Sequence, residues 1–294
     1  MPRARSKDTA GGSGVVMLSR LPMKSKAPGH PWVFFALVYG LSMPCWILGT
    51  RIKLSGLPDN LPVTDIGAVL TPTLAAAVLR YREAGASGVR ELFRRIADYR
   101  RISNGRWLVT ATMVFPLLYL ATYSAMRVLA YPVPTTWSLS PGLAGTFFLF
   151  LVAAIAEELG YTAYETDALQ RRMPALRAAL VMGPLWALWH LPSMIALGQP
   201  RELILWGLGV TVAVRILNVW IYNNTGASVF AVILMHAIGN TARTGYPGGR
   251  RGYELGHGSV AYSIIILFAL FVVVLWRPAT LANFPGRKRQ LAGP

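Results

Sequence analysis

Glu157 and Glu158 are two adjacent carboxylates at the end of an apolar stretch that begins near Gly142. An acidic side chain at bilayer depth costs about 2.5–3.5 kcal/mol on insertion scales, so such a pair requires a function and a partner. Candidate partners lie downstream: His190 in the run Leu185-Trp-Ala-Leu-Trp-His190, and His236 and Asn240 in Val232-Ile-Leu-Met-His-Ala-Ile-Gly-Asn240. Adjacent helical residues point about 100° apart, so Glu157 and Glu158 cannot both face one cavity. His236 and Asn240, four residues apart, share a face, and Trp186 stands one turn before His190.

One carboxylate, two imidazoles and an amide suffice for peptide hydrolysis without a covalent intermediate. The carboxylate takes a proton from water as the water attacks the scissile carbonyl, and an imidazole on the same water orients it. A second imidazole and the Asn amide donate to the developing oxyanion. No Ser or Cys stands beside these residues in a nucleophile motif; Ser193, next to Pro192, reads as a helix-break residue. The single cysteine, Cys45, excludes an intrachain disulfide and reads as packing.

The elements that must position these groups are membrane helices. The chain of 294 residues is 54% hydrophobic and 14% charged, with several apolar runs near the length that crosses a bilayer. Backbone groups cannot face lipid unpaired, and runs without period-2 alternation select helices over a barrel. The expected fold is therefore all-α: a polytopic membrane protein of about eight transmembrane helices with a buried polar site. The spans run from about Trp32 to Thr50, Thr64 to Leu79, Trp107 to Leu129, Gly142 past Glu158, Ala178 to Leu197, Leu203 to Tyr222, Ala227 to Thr241 and Val260 to Trp276. Pro72 suggests a kink in the second, and Pro184 and Pro192 interrupt the fifth. The whole divides into a disordered basic tail (1–30), a helical membrane domain (31–277) and a second basic tail (278–294).

A net charge of +17 would suggest nucleic acid in a soluble protein, but here the basic residues fall in short segments between apolar runs. That is the positive-inside pattern, and it excludes nucleic acid as a partner. It puts both termini in the cytoplasm, with Ala130 to Pro141 outside; Arg243, Arg250 and Arg251 go against the trend. The expected location is the cell membrane of a prokaryote, with anionic lipid headgroups attracted at about 1 kcal/mol per basic residue. Val89, Leu92, Phe93, Ile96 and Ala97 share one face, so the arginine-rich Val89–Asp98 run reads as an amphipathic helix on the membrane surface or, equally, as a solvated connector helix. Arg215 is an unusual cation within a span. Glu165 and Asp167 are expected at the interface, His257 in solvent, and Asn218, Asn223 and Asn224 joining helices. Tyr161 reads as aromatic packing.

The order Glu-Glu, aromatic-xxx-His and His-xxx-Asn on membrane helices resembles the CPBP family of intramembrane glutamic endopeptidases, the type II CAAX prenyl protease, bacteriocin-processing and Abi-like group. The resemblance covers about Gly142 to Thr241. It implies Glu157 as the water-activating base with His190 beside it, His236 and Asn240 as the oxyanion hole, and Glu158 in support. It also implies a membrane-associated or lipidated peptide substrate, with no cofactor and no metal. The chain departs from the family where the second Glu is usually followed four residues later by Arg, commonly in an Arg-Gly pair: Thr162 and Ala163 stand there. Trp186 replaces the commonest Phe, and Arg215 is the candidate to supply the missing cation.

Two other classes compete. A Glu and two His could ligate zinc in a membrane hydrolase, although the His-Glu-x-x-His spacing that builds many such sites is absent. A noncatalytic protein, either a proton or ion carrier or an inactive scaffold or immunity-type protein of the same fold, is the third. Carriers often show repeated halves, and none is visible in this sequence.

Overall fold

The computed structural model describes residues 29–49, 51–52, 63–137, 140–247 and 258–282. The two tails, apart from 29–30 and 278–282, lie outside these residues, as do His257 and most of the Gly-rich 242–258 loop.

The fold is all-α. Its helices are α1 (Pro31–Gly49), α2 (Val63–Ala68), α3 (Thr71–Arg94), α4 (Gly105–Val128), α5 (Gly142–Glu158), α6 (Asp167–Gln170), α7 (Ala175–Ala196), α8 (Arg201–Asn224), α9 (Val229–Gly245) and α10 (Gly258–Leu275). A π-helical segment, Leu159–Thr166, joins α5 to α6. The runs read as spans are helical, the second of them broken by a turn at Val69 and Leu70. Six helical stretches among the described residues are long and apolar enough to cross a membrane: Pro31–Gly49, Val63–Ala97, Gly105–Val128, Gly142–Gln170, Ala175–Ala196 and Arg201–Asn224. The remaining two of the expected eight are shorter, α9 at 17 residues and the apolar part of α10 at Tyr262–Leu275. The chain is thus an integral membrane protein, and exposed Leu267, Leu270, Phe271 and Val274 on α10 give it a face suited to lipid.

The second run is broken near its proline: α2 ends at Ala68, a turn follows at Val69 and Leu70, and Pro72 lies in the first turn of α3, which does not need the missing N–H. The bend in α3 lies further on, at Ala84 and Gly85, whose φ of +60° suits a residue without a Cβ. Pro184 and Pro192 both lie inside a continuous α7. Ser193 therefore breaks no helix; its hydroxyl hydrogen-bonds Asp65 and stands 3.3 Å from Thr64 Oγ1, tying α7 to α2.

Beyond the bend, the Val89–Asp98 run is not one amphipathic surface helix. Leu92 is buried while Phe93 and Ala97 are exposed, and the helix gives way to single 3₁₀ turns at Arg95–Ala97 and Tyr99–Arg101. Asp98 draws the chain out of helical course. Its carboxylate accepts from Ser228 Oγ (2.9 Å) and from the Phe230 amide (3.0 Å), capping the first turn of α9, and from Arg95 Nε (2.8 Å). Arg95 in turn donates to the Ala227 carbonyl (2.6 Å) and Tyr222 Oη (3.1 Å), so the α8–α9 turn is held from outside. Against this fixed end, α9 is sheathed by α4, α5 and α8 and buries Val232, Ile233, Met235 and Ala237.

Candidate active site

The site forms where the end of α5 meets α7, α8 and α9. Gly160 sets the approach of the π-helical segment to α3: a Cβ there would lie 2.5 Å from the Pro72 carbonyl oxygen. Thr73 Oγ1 donates to the Ala156 carbonyl at 2.6 Å, fixing the last turn of α5 on the same neighbour. A π-helix widens the turn, and such segments recur at functional sites.

The two glutamates face different surroundings. Glu157 lines a cavity of about 490 Å³ together with Trp186, Trp189, His190, His236 and Asn240. Its Oε2 accepts a hydrogen bond from the Trp186 indole N–H at 2.9 Å and stands 3.9 Å from His190 Nε2. The rings are ordered by edge contacts: Trp186 packs T-shaped on both His190 (5.2 Å between centroids) and His236 (5.9 Å). Trp189 closes on His190 at 4.8 Å.

Glu158 is fully buried, and its carboxylate is surrounded by donors. Thr162 Oγ1 donates to Oε2 at 2.5 Å and Arg215 Nη1 at 3.0 Å; Asn218 Nδ2 donates to Oε1 at 3.2 Å, and His236 Nδ1 lies 2.9 Å from that oxygen. The Arg215 guanidinium lies over the Trp186 ring at 4.0 Å and the Tyr161 ring at 5.2 Å, so it is held between two aromatic faces. The cation expected four residues after Glu158 comes instead from α8, and Thr162 adds a hydroxyl to the same carboxylate. A buried ion pair of this kind is best tolerated when hydrogen bonds satisfy its remaining atoms; here Thr162, Asn218 and His236 do so for the carboxylate, while Arg215 Nε has no hydrogen-bond partner among the described residues.

All five residues singled out in the sequence meet at this point. Glu157, His190, His236 and Asn240 share the cavity; Glu158 lies behind it and is linked to it through His236 and through Arg215, which lies on Trp186. Among the described residues no three His, Cys, Asp or Glu side chains converge as a metal ion would require. Sequence reasoning missed Asn218 as a partner of Glu158 and the indole N–H of Trp186 as the donor to Glu157. The side chain of Glu165 is fully buried, with neither carboxylate oxygen hydrogen-bonded among the described residues. Asp167, with its side chain 40% exposed, does sit at the edge, accepting from Tyr222 Oη at 2.7 Å.

A helical membrane bundle that encloses a carboxylate, two imidazoles and an amide around one cavity defines an integral membrane protein with a hydrolase-like polar site. The family model for type II CAAX prenyl endopeptidases of the Rce1-like kind matches residues 138–242, which hold all five site residues. The chain is also 22% identical over 229 residues to CAAX prenyl protease 2 of Methanococcus maripaludis, covering 72% of this chain and 83% of that protein. Over the segment that holds the site, the chain is thus similar to the CAAX prenyl proteases, a family of membrane proteins.

Proposed function

We propose that the chain is an intramembrane glutamic endopeptidase that cleaves a peptide bond of a membrane-associated, prenylated substrate with water activated by Glu157. The observation that carries this is the placing of one carboxylate, two imidazoles and an amide on a single cavity, with that carboxylate oriented by Trp186. Engagement of Oε2 by the indole leaves Oε1 to accept a proton from water. His190 stands close enough to share that water once substrate tightens the site, since catalytic contacts are often long in the free enzyme.

As the water attacks, negative charge develops on the carbonyl oxygen, and His236 with Asn240 donates to it. His236 can do so only with a proton on the nitrogen that faces the cavity, and its partner decides that. A carboxylate on Nδ1 supports an imidazole protonated at Nδ1 while neutral, and one protonated at both nitrogens when charged. The donor to the oxyanion is then the charged form, stabilised by Glu158. Glu157, having taken the water's proton, delivers it to the leaving amine.

The termini belong on the cytoplasmic side in this reading. The Gly29 carbonyl accepts from Arg172 and the Ala279 carbonyl accepts from the Ala175 amide, which supports one common side for both ends, and the arginines gathered there favour the cytoplasm. A prokaryotic cell membrane, with anionic headgroups against those arginines, fits the same charge pattern.

The test is cleavage of a prenylated CAAX peptide by the purified protein, with and without a strong chelator, together with metal analysis. Cleavage that survives the chelator and disappears in Glu157→Gln is the expected result. Chelator-sensitive cleavage by a protein that purifies with stoichiometric zinc would replace the glutamic mechanism with a zinc one. A correctly folded protein that cleaves nothing would favour the inactive scaffold.

A further inference from the structure

The cavity has a polarity that the hydrolytic chemistry does not use. Its charged lining residues besides Glu157 and the two histidines are Asp65 on α2, whose carboxylate is engaged by Ser193, and Arg243 on α9. Arg243 is partly buried and follows His236, Gly239 and Asn240 on the stripe of α9 that lines the cavity. It is the one Lys or Arg among the described lining residues, in the distal half of a span where a cation is costly. The positive-inside pattern does not account for it, since its end of the bundle is the one opposite the arginine-rich turns that cap α9.

We infer that Arg243 is a specificity-determining residue that receives the free C-terminal carboxylate of the substrate. This rests on the endopeptidase reading above. Arg243 lies seven residues beyond His236, about 10 Å along the helix at 1.5 Å per residue. An extended peptide covers about 3.3 Å per residue, so a carbonyl held at His236 and Asn240 would place a carboxylate about three residues later beside Arg243. That is the length of the segment following the cysteine of a C-a-a-X terminus. A guanidinium matches a carboxylate with two parallel N–H donors, a match that a carboxamide lacks.

The experiment compares two fluorescent peptides ending in farnesyl-cysteine plus three residues, identical except that one ends in a free carboxylate and the other in a carboxamide. Both kcat/KM for the wild-type protein and affinity for the Glu157→Gln variant are measured. The wild-type protein should prefer the acid by about 10–100-fold, as for a hydrogen bond to a charged group. In Arg243→Gln that preference should collapse to near one, and Arg243→Lys should retain part of it. Equal use of the two peptides by the wild-type protein, or an undiminished preference in Arg243→Gln, would overturn the assignment. If the wild-type protein cleaves neither peptide, the endopeptidase reading fails while the affinities still decide Arg243. Acid binding over amide that is lost in Arg243→Gln supports it, and equal or absent binding of both overturns it. If Arg243→Gln does not fold, the wild-type preference and its reduction in Arg243→Lys decide in the same way.

Discussion

Glu157 and Glu158 are neighbours in the chain, yet among the described residues one faces a cavity with the Trp186 indole as the hydrogen-bonding side chain on its carboxylate, and the other is closed in by four side chains. A carboxylate that must exchange a proton with water needs an oxygen left open, whereas one that must stay charged and fixed needs its lone pairs filled. The 100° between successive helical residues lets one segment supply both. The two sides also communicate, since Trp186, which donates to Glu157, is the ring on which the Arg215 of the Glu158 cluster lies.

The largest separation of the two should come from Glu157→Gln. An amide of the same size cannot take a proton from water, so turnover should fall by up to about 10⁴-fold while thermal stability in detergent stays close to wild type. Measurable turnover near the wild-type rate would remove Glu157 from the mechanism and with it the contrast.

Next in size are the changes on the closed side. Arg215→Met leaves Glu158 charged and buried without its main partner, which typically costs about 3–5 kcal/mol, and Glu158→Gln strands the guanidinium in the same way. The double variant should lose clearly less than the sum of the single losses in a denaturation series, because the two changes remove one interaction. Additive losses would mean that the pair does not act as a unit.

Asn240→Ala tests the cavity side again, at lower cost. Loss of one donor to a developing oxyanion is worth about 10²–10³ in rate, or about 2.7–4 kcal/mol, so residual cleavage should be measurable with KM little changed. A loss as complete as that of Glu157→Gln would place Asn240 on the water and not on the oxyanion. Smallest is Trp186→Phe, which keeps a ring under Arg215 but removes the N–H to Glu157. A decrease of about tenfold in kcat, with stability nearly retained, is expected from one hydrogen bond to a charged acceptor. A large loss of stability in its place would show that the ring serves the Arg215 cluster more than it serves Glu157.

How much of this could be read in advance depended on whether the information is local. The membrane class, the helical course and the shared face of His236 and Asn240 follow from composition and period, which are properties of single segments. The Arg215–Glu158 pair could also be anticipated, because a cation within a span demands a partner and few acids were available. Asn218 gave no such signal, since an Asn near the end of an apolar helix has many local uses. The indole of Trp186 was read for its bulk, and its N–H could be assigned only once α7 and α5 were in register. Val89–Asp98 had the right amphipathic pattern, but the capping of α9 by Asp98 outweighed it.

The π-helical segment Leu159–Thr166 also bears on how the chain can change length. A step of five residues per hydrogen bond holds one more residue than the α-helical step of four, so a single deletion there can be absorbed by tightening a turn. Glu157 and the Asp167 end would keep their bearings. The same deletion in an α-helical stretch such as that between Ala175 and His190 would turn one end against the other by about 100° and carry His190 out of the cavity. Among homologous chains, gaps should therefore gather in the eight residues after Glu158 and be rare in α7 and α9.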